Sequence, residues 1–371
     1  MKKVIVSGHI CIDITPEISA QGNKTLGDIL MPGKLLQTGA ATISTGGVVA
    51  NTGLAMKKFG ANVSLMGKVG SDEFGNMIIN ILKKYGAESG IIKAENEATS
   101  YSVVLAVPGI DRMFLHCPGA NDTFTSDDVP KEALSDAALF HFGYPPIMKK
   151  MYQDCGSELV KLMKKVQEAG CATSLDMTAV DPSTEAGRAD WKTIITNVIP
   201  YIDFFVPSIE ELCFMIDKPR FADWQTQAGS GDITEILDIE NDIKPLAEKC
   251  MAMGCKVLLL KCGSKGMYLK TSGENAIKII SPRLELNIND WADKDIFMPA
   301  LKVEKIVSAT GAGDTSIAAF ETAMLNGEPA QNCLALAVAT GACCVTAYDA
   351  LSGLKPLEEL KERSDIKCLL I

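Results

Sequence analysis

A short glycine-rich turn that ends in an acidic residue carries the clearest chemical signal in the sequence. The turn is Thr310-Gly311-Ala312-Gly313-Asp314, and it leads into a helical run at residues 316–325. Glycines before a helix let an anion approach the backbone, and the free N–H groups of the first helical turn can bind phosphate. Asp314 is placed to take a proton from a hydroxyl beside that phosphate. The alternative is a tight turn in which Asp314 only caps the helix.

Polar residues near the start of the chain suggest a second binding element. The pair Gly46-Gly47 opens another predicted helix and is followed by Asn51, whose amide both donates and accepts hydrogen bonds. Asp13 follows the first predicted strand, where a carboxylate can bind two hydroxyls of a sugar or simply cap a turn. Glycines at a plain helix entry remain the alternative for Gly46 and Gly47.

Glu211 stands just after a buried strand predicted at residues 204–206. Open α/β folds bind ligands at the carboxyl ends of their strands, so Glu211 can act there on a metal-bound water. A solvent-facing helix N-terminus, where glutamate is favourable, explains the same residue equally well.

Apolar runs of two kinds alternate along the chain and predict the elements that must position these residues. Short β-branched runs predict strands at residues 4–7, 63–66, 172–175, 204–206 and 257–260. Helical spacing predicts helices at residues 50–59, 77–85, 208–215, 249–253, 316–325 and 334–347. The alternation predicts an α/β fold, with a mostly parallel central sheet and helices on both faces.

Two stretches depart from this alternation and predict a small separate sheet that covers the site. Residues from about 14 to 44 have no helical period, and residues 101–117 read as a hairpin that turns at 108–111. Residues 218–239 and 287–295 look like surface insertions. We expect one domain over residues 1–371, with the small sheet as a lid.

Composition excludes several classes of protein. The 371 residues carry 36 basic and 46 acidic side chains, a net charge of −10, which argues against a general nucleic-acid binder. The longest nearly apolar run, residues 333–345, is shorter than the roughly 20 residues that span a membrane. Twelve cysteines without metal spacing and only three histidines argue against a zinc site. Cysteines within apolar runs indicate buried thiols in a reducing cytoplasm.

These motifs, in this order, resemble the ribokinase (PfkB) family of carbohydrate kinases over nearly the whole chain. The matching pieces are Asp13, Gly46-Gly47, residues 59–63, 67–75, 118–121 and 261–266, and Gly311-Ala312-Gly313-Asp314. The resemblance implies a ribokinase-like fold with a β-sheet lid. It also implies transfer of the γ-phosphoryl group of ATP to a hydroxyl of a small sugar or sugar derivative.

The same resemblance implies roles for individual residues. Asp314 would be the general base, and the N–H groups of the Gly311–Asp314 turn, at Ala312, Gly313 and Asp314, would form the anion hole. Residues implied to bind the sugar are Asp13, Gly46, Gly47, Asn51 and, on the lid hairpin, Arg112. Residues implied to bind the nucleotide are Lys261, Gly263, Gly266 and Thr310. Glu211 would organise Mg²⁺ through water. A homodimer through the lid fits the resemblance, and no nucleic acid or membrane is expected as a partner.

Three positions depart from the family pattern. Ser308 replaces an aspartate of the monovalent-cation loop in some relatives, so the resemblance gives no basis for potassium activation. Ser208 replaces the asparagine of the Asn-x-x-Glu motif, which should alter the network of metal and water. Val48 replaces a lysine of the ribose-type pattern, which argues against ribose as the substrate.

Two other functions fit the sequence less well. A nucleoside kinase of the same fold needs an aromatic shelf near the lid, for which Phe114 and Tyr101 are available. A non-catalytic sugar-binding protein would have no need to retain Asp314. The sequence does not identify the sugar.

Overall fold

The computed structural model describes residues 2–19, 26–107 and 113–371. Its strands are β1 (Lys3–Gly8), β2 (Cys11–Pro16), β3 (Ala41–Gly46), β4 (Asn62–Gly70), β5 (Ile91–Ala94), β6 (Tyr101–Leu105), β7 (Met113–Cys117), β8 (Ala137–Gly143), β9 (Ala172–Asp176), β10 (Phe204–Phe205), β11 (Val257–Lys261), β12 (Gly266–Thr271) and β13 (Asp295–Pro299).

The α-helices are α1 (Leu26–Ile29), α2 (Val48–Lys58), α3 (Glu73–Lys83), α4 (Lys131–Leu134), α5 (Lys149–Tyr152), α6 (Ser157–Glu168), α7 (Glu185–Arg188), α8 (Trp191–Val198), α9 (Ile209–Ile216), α10 (Lys218–Ala228), α11 (Ile233–Ile236), α12 (Lys244–Ala252), α13 (Glu274–Lys278), α14 (Ile288–Trp291), α15 (Ala312–Leu325), α16 (Ala330–Cys344), α17 (Leu357–Glu362) and α18 (Ser364–Lys367). Short 3₁₀ turns cover Gly119–Thr123, Ser126–Asp128, Pro145–Ile147, Asp154–Gly156, Ile199–Tyr201, Gly263–Lys265 and Pro282–Leu284, and a π turn covers Ile239–Ile243.

The main sheet has nine strands in the order β13-β12-β11-β10-β9-β8-β1-β4-β5. The seven strands from β11 to β5 run parallel, while β12 and β13 form an antiparallel edge. β1 lies between β4 and β8, so the strand order reverses there. Such a switch point is where open α/β sheets bind ligands, beyond the carboxyl ends of the strands.

Both faces of the main sheet are covered by helices, as predicted. Along β1, Val4 and Val6 belong to one buried cluster and Ile5 to the other, because successive strand residues point to opposite faces. Residues of α2, α15 and α16 pack in the first cluster, and residues of α6, α8, α9 and α12 pack in the second. The core therefore consists of two layers separated by the sheet, and the predicted parallel architecture is confirmed.

A second sheet of four strands, in the order β3-β2-β6-β7, stands apart from the main sheet. β6 and β7 pair antiparallel, which confirms the predicted hairpin, and its turn at 108–111 lies outside the described residues. β2 pairs antiparallel with β3 and parallel with β6. We call this sheet the lid.

The prediction that residues 218–239 and 287–295 are surface insertions is partly wrong, because each segment contributes a buried tryptophan. Trp291 is only 2% exposed and meets the rings of Phe204 and Phe320 edge-on, with centroids 5.9 and 5.8 Å away. Trp224 is 3% exposed, and its indole N–H donates to Asp242 Oδ1 at 2.9 Å. Both segments therefore complete the core as well as cover the surface.

Candidate active site

Asp314 lies in the first turn of α15 and is almost fully buried, with 4% of its surface exposed. Its Oδ2 accepts a hydrogen bond from Asn51 Nδ2 at 2.9 Å, and its Oδ1 accepts one from the Tyr144 hydroxyl at 2.7 Å. Thr52 Oγ1 lies 3.5 Å from the same Oδ1. Asn51 and Thr52 belong to α2, and Tyr144 follows β8. Side chains from two other elements therefore fix the orientation of this carboxylate.

The turn before Asp314 presents free backbone donors. Gly311 has a φ of 74°, and a Cβ there would lie 2.3 Å from Ala350 Cβ, so the position requires glycine. Within the described ranges, the N–H groups of Gly313 and Asp314 have no acceptor. The N–H of Ala312, implied by the resemblance to belong to the anion hole, instead donates to Ala309 O at 3.2 Å. Two free N–H groups therefore stand at the positive end of α15.

A buried ion pair lies against this turn. Lys261 Nζ is 2.7 Å from Asp176 Oδ1, and the two side chains are 12% and 1% exposed. A Cβ on Gly313 would lie 3.5 Å from Lys261 Nζ, so the ammonium packs directly beside the free N–H groups. Lys261 and Asp176 end the strands β11 and β9. The carboxyl ends of these strands thus bring a positive charge to the helix terminus.

The charged groups around this ion pair shift one another's pKa values. Burial raises the pKa of Asp176 to about 7; the Lys261 ammonium opposes this shift, while the carboxylates of Glu211 and Asp314 add to it. Burial acts to lower the pKa of Lys261, but Asp176 and Glu211 outweigh it and raise that pKa above its usual value. Lys261 therefore stays cationic at neutral pH, among three acidic residues.

A cleft of about 920 Å³ joins the lid to the start of α15. Asp13 and Ser44 line it from the lid, Asn51 from α2, and Ser308 and Thr310 from the loop before α15. Asp13 accepts a hydrogen bond from Cys11 Sγ at 3.4 Å, and burial raises the pKa of its carboxyl. Asp13 and Asn51, two of the residues implied to bind sugar, therefore line one cleft together with Thr310 of the loop before Asp314.

The two glycines at the edge of this cleft are needed for close approach. A Cβ on Gly46 would lie 2.3 Å from Asp13 Oδ2, and Gly47 has a φ of 83° and lies against His9. Any other side chain at these positions would displace the carboxylate or the strand beside it. Their direct effect in the structure is thus to keep Asp13 close to the N-terminus of α2.

A comparison with known families identifies the family of this chain. The model of the "pfkB family carbohydrate kinase" matches residues 1–356. The chain belongs to the pfkB family of carbohydrate kinases. Fructokinase-2 of Oryza sativa is 25% identical over 372 residues, covering 97% of this chain and 93% of its own.

Solved structures share the fold of this pfkB-family protein. A ribokinase of Arabidopsis thaliana, complexed with ribose and ATP, superposes with a TM-score of 0.71 at 22% identity, covering 98% of this chain and 99% of its own. A nucleoside kinase of Methanocaldococcus jannaschii superposes with a TM-score of 0.64 at 20% identity and covers 99% of both chains. The fold is therefore ribokinase-like, with the lid as its smaller sheet.

Glu211 of this kinase has a structural partner in its own helix. Its Oε2 accepts from the Ser208 N–H at 2.7 Å, and the Ser208 hydroxyl accepts from the Glu211 N–H at 3.2 Å. This reciprocal capping box begins α9. Ser208, which departs from the family pattern, therefore serves as the helix cap, and one oxygen of Glu211 is already in use.

The loop implied to bind the nucleotide follows Lys261. Gly263 and Gly266 have φ values of 53° and 124°, and a Cβ on Gly266 would lie 2.1 Å from Met298 O of β13. The Ser264 hydroxyl lies 3.1 Å from Thr234 Oγ1, which belongs to the segment 218–239. Gly266 is therefore needed for the close packing of its backbone against β13, whether or not it also binds the nucleotide. Thr234, from the segment 218–239, supports the loop.

Several residues of the site were missed by sequence reasoning, and one expected residue is not placed. Thr52, Tyr144 and Asp176 carried no recognised motif, although Asp176 directly follows the strand predicted at residues 172–175 and could have been found because ligands bind at the carboxyl ends of such strands. Arg112 lies outside the described residues. No described helix is long and apolar enough to cross a membrane.

Proposed function

We propose that this kinase transfers the γ-phosphoryl group of ATP to a hydroxyl of a small sugar or sugar derivative. The observation that carries the proposal is the buried Asp314 carboxylate, held by Asn51 and Tyr144 at a helix N-terminus with two free N–H groups. The family supports the sugar as acceptor.

The proposed reaction divides the work among these groups. The acceptor hydroxyl donates to Asp314, which takes its proton as the new O–P bond forms and ADP leaves. The N–H groups of Gly313 and Asp314, with the Lys261 ammonium beside them, stabilise the negative charge on the transferring group. Asp13 binds further hydroxyls and sets the orientation of the sugar. Gly263 and Thr310 line the nucleotide side.

Magnesium fits this site as an ion bound mainly through the nucleotide. No group of three or more acidic, histidine or cysteine side chains within the described ranges could hold a metal. Asp176 Oδ2, however, is buried without a partner in those ranges, and carboxylate oxygens suit the waters of Mg²⁺. Asp176 and Glu211 would hold such waters, and the ion would neutralise phosphate charge.

The test is a coupled ADP-release assay over ketoses, aldoses, sugar acids and nucleosides, with and without Mg²⁺ and potassium. Asp314→Asn should lower kcat by at least about a hundredfold, since general-base catalysis typically contributes that much. The matched control is Asp136→Asn, which removes a surface carboxylate bound to Lys3 at the opposite end of β8. A kcat of D314N within a few-fold of the wild-type kcat would refute the assignment of Asp314 as the base.

A nucleoside kinase is the second candidate, and one side chain favours it. Phe114 is 54% exposed and lines the cleft from β7, where a base could stack on its ring. Tyr101, the other expected aromatic, instead packs against Phe74 with ring centroids 5.5 Å apart. Phe114→Ala should raise the KM of nucleosides several-fold and leave that of simple sugars unchanged.

We also propose that the lid pairs two copies of the chain. Leu115 follows the cleft-lining Phe114 in β7, so its side chain points to the opposite face of the lid, and it is 58% exposed. Light scattering after size-exclusion chromatography tests this proposal: the wild type should have twice the chain mass, and Leu115→Lys should be monomeric.

A further inference from the structure

A row of polar side chains crosses the whole lid in register. Ser44 of β3 pairs with Asp13 of β2, Asp13 with Ser102 of β6, and Ser102 with His116 of β7. Residues that pair in register point to the same face of a sheet. Asp13 and Ser44 line the cleft, so the row faces the cleft. Ser102 and His116 have no part in the phosphoryl transfer described above.

A hydrogen bond within the row occupies one nitrogen of His116. Ser102 Oγ lies 3.0 Å from His116 Nδ1, where either the hydroxyl or the ring can be the donor. This pairing leaves Nε2 as the ring nitrogen that a ligand can reach, either as a donor or as an acceptor.

A second histidine, His9, lies beside the row. The His9 and His116 rings are 5.1 Å apart. Burial lowers the pKa of His9 well below its usual value, with a further contribution from His116, and burial also lowers the pKa of His116. The other titratable side chains near this pair are Asp13, reached through Ser102, and Tyr144, whose ring is 6.1 Å from His9. Both imidazoles are therefore uncharged at neutral pH.

We propose that His116 recognises the acceptor and that the row Ser44–Asp13–Ser102–His116 selects an uncharged polyol. This inference rests on the proposed function and narrows it. The row presents two polar groups to a ligand, the Asp13 carboxylate and His116 Nε2, and a hydroxyl can bond to either because it both donates and accepts. The charge of Asp13 would repel an ionised carboxylate or phosphate at this place, so the row disfavours sugar acids and sugar phosphates.

The first measurement follows the imidazoles directly. The chain has three histidines, so a ¹H–¹⁵N spectrum of the rings resolves each one, with His116→Asn and His9→Gln for assignment. D-fructose and D-ribose are the neutral probes, and D-gluconate and a hexose monophosphate are the acidic ones. A neutral probe should shift the His116 Nε2 signal. His141, which is buried and bonded to Glu321, is the internal control and should not move.

The second measurement separates acceptor binding from turnover. His116→Phe should raise the acceptor KM by about tenfold, the effect of one lost hydrogen bond, with kcat and the ATP KM unchanged. His116→Asn, which keeps a polar group, should recover part of this loss. Thermal unfolding of each variant checks that the fold tolerates the change.

The outcomes distinguish this inference from the proposed function. Turnover of a neutral sugar with an unmoved His116 signal and an unchanged KM in H116F would overturn the recognition role and leave the kinase standing. Preference for an acidic acceptor would overturn it as well. A His116 shift with a neutral sugar but no turnover of any acceptor would support recognition and refute the kinase. The absence of both a His116 shift and turnover would refute both the recognition role and the kinase.

Discussion

The Tyr144 hydroxyl donates to Asp314 Oδ1 at 2.7 Å, while Asn51 holds the other oxygen of the same carboxylate. Tyr144 stands directly after β8 with a φ of 70°, a left-handed conformation that few residues other than glycine adopt. Burial and the neighbouring Asp314 raise the pKa of Tyr144 well above its usual value, so the phenol remains a donor at neutral pH. The carboxylate at the centre of the site is therefore oriented before any substrate arrives.

Replacing this tyrosine tests the value of that orientation. Tyr144→Phe removes one hydrogen bond to a charged acceptor, an interaction that contributes about 1.5–3 kcal/mol. We expect kcat to fall by about tenfold or more with little change in the ATP KM. Tyr152→Phe, which alters a ring that packs on Trp191 outside the cleft, is the control. Equal kcat values for the two variants would exclude a role for the hydroxyl.

The ion pair of Asp176 with Lys261 predicts a pH dependence. Because the pKa of Asp176 is raised to about 7, the carboxylate that holds Lys261 beside Gly313 is ionised above that pH and protonated below it. We expect kcat to rise with pH through about 7. In Asp176→Asn this rise should disappear, and kcat should be lower than that of the wild type. Initial rates between about pH 5.5 and about pH 8.5 provide the profile.

The same group should affect stability with the opposite sign. Its folded pKa exceeds the unfolded value of 3.8, so its contribution to stability is complete below 3.8 and is lost as the pH rises through about 7. Urea unfolding of wild type and D176N across this range provides the check. If the kcat profile of D176N keeps the inflection that the wild type shows near pH 7, the titration belongs to another group.

A substitution at Gly311 tests whether the tight turn before α15 is needed for stability and activity. Gly311→Ala places a Cβ 2.3 Å from that of Ala350 and forces a side chain into a φ of 74°. The backbone strain alone costs about 1–2 kcal/mol, and displacing the turn should also lower kcat. Gly327→Ala is the matched control, because Gly327 has a φ of 87° but no atom within 4 Å of its added Cβ. Similar losses of stability and activity in both variants would contradict the contact with Ala350.

Trp291 tests whether the segment 287–295 belongs to the core. Trp291→Ala should lower the free energy of unfolding by about 3–5 kcal/mol, because it removes a large ring packed between Phe204 and Phe320. Tyr348→Ala removes a ring that is 86% exposed and should change stability little. Chemical denaturation measures both, and comparable effects would mean that Trp291 lies on the surface.

Local patterns in the sequence were enough to predict most elements of the fold. The β-branched run at residues 4–7 lies within β1, and the helical run at residues 316–325 lies within α15, because strand and helix periodicities are properties of neighbouring residues. Trp291 was misjudged because its segment is polar, and its two partners are distant in the chain.

The sequence by itself determined the alternating α/β architecture and the family, because both are written in local periodicity and short motifs. It also identified Asp314 and its glycine turn, since a helix start needs only consecutive residues. Only the tertiary structure decided that Asn51 and Tyr144 hold Asp314, that Asp176 pairs with Lys261, and that His116 aligns with Asp13 across the lid. Each of these contacts joins residues far apart in the chain, and packing and strand register bring them together.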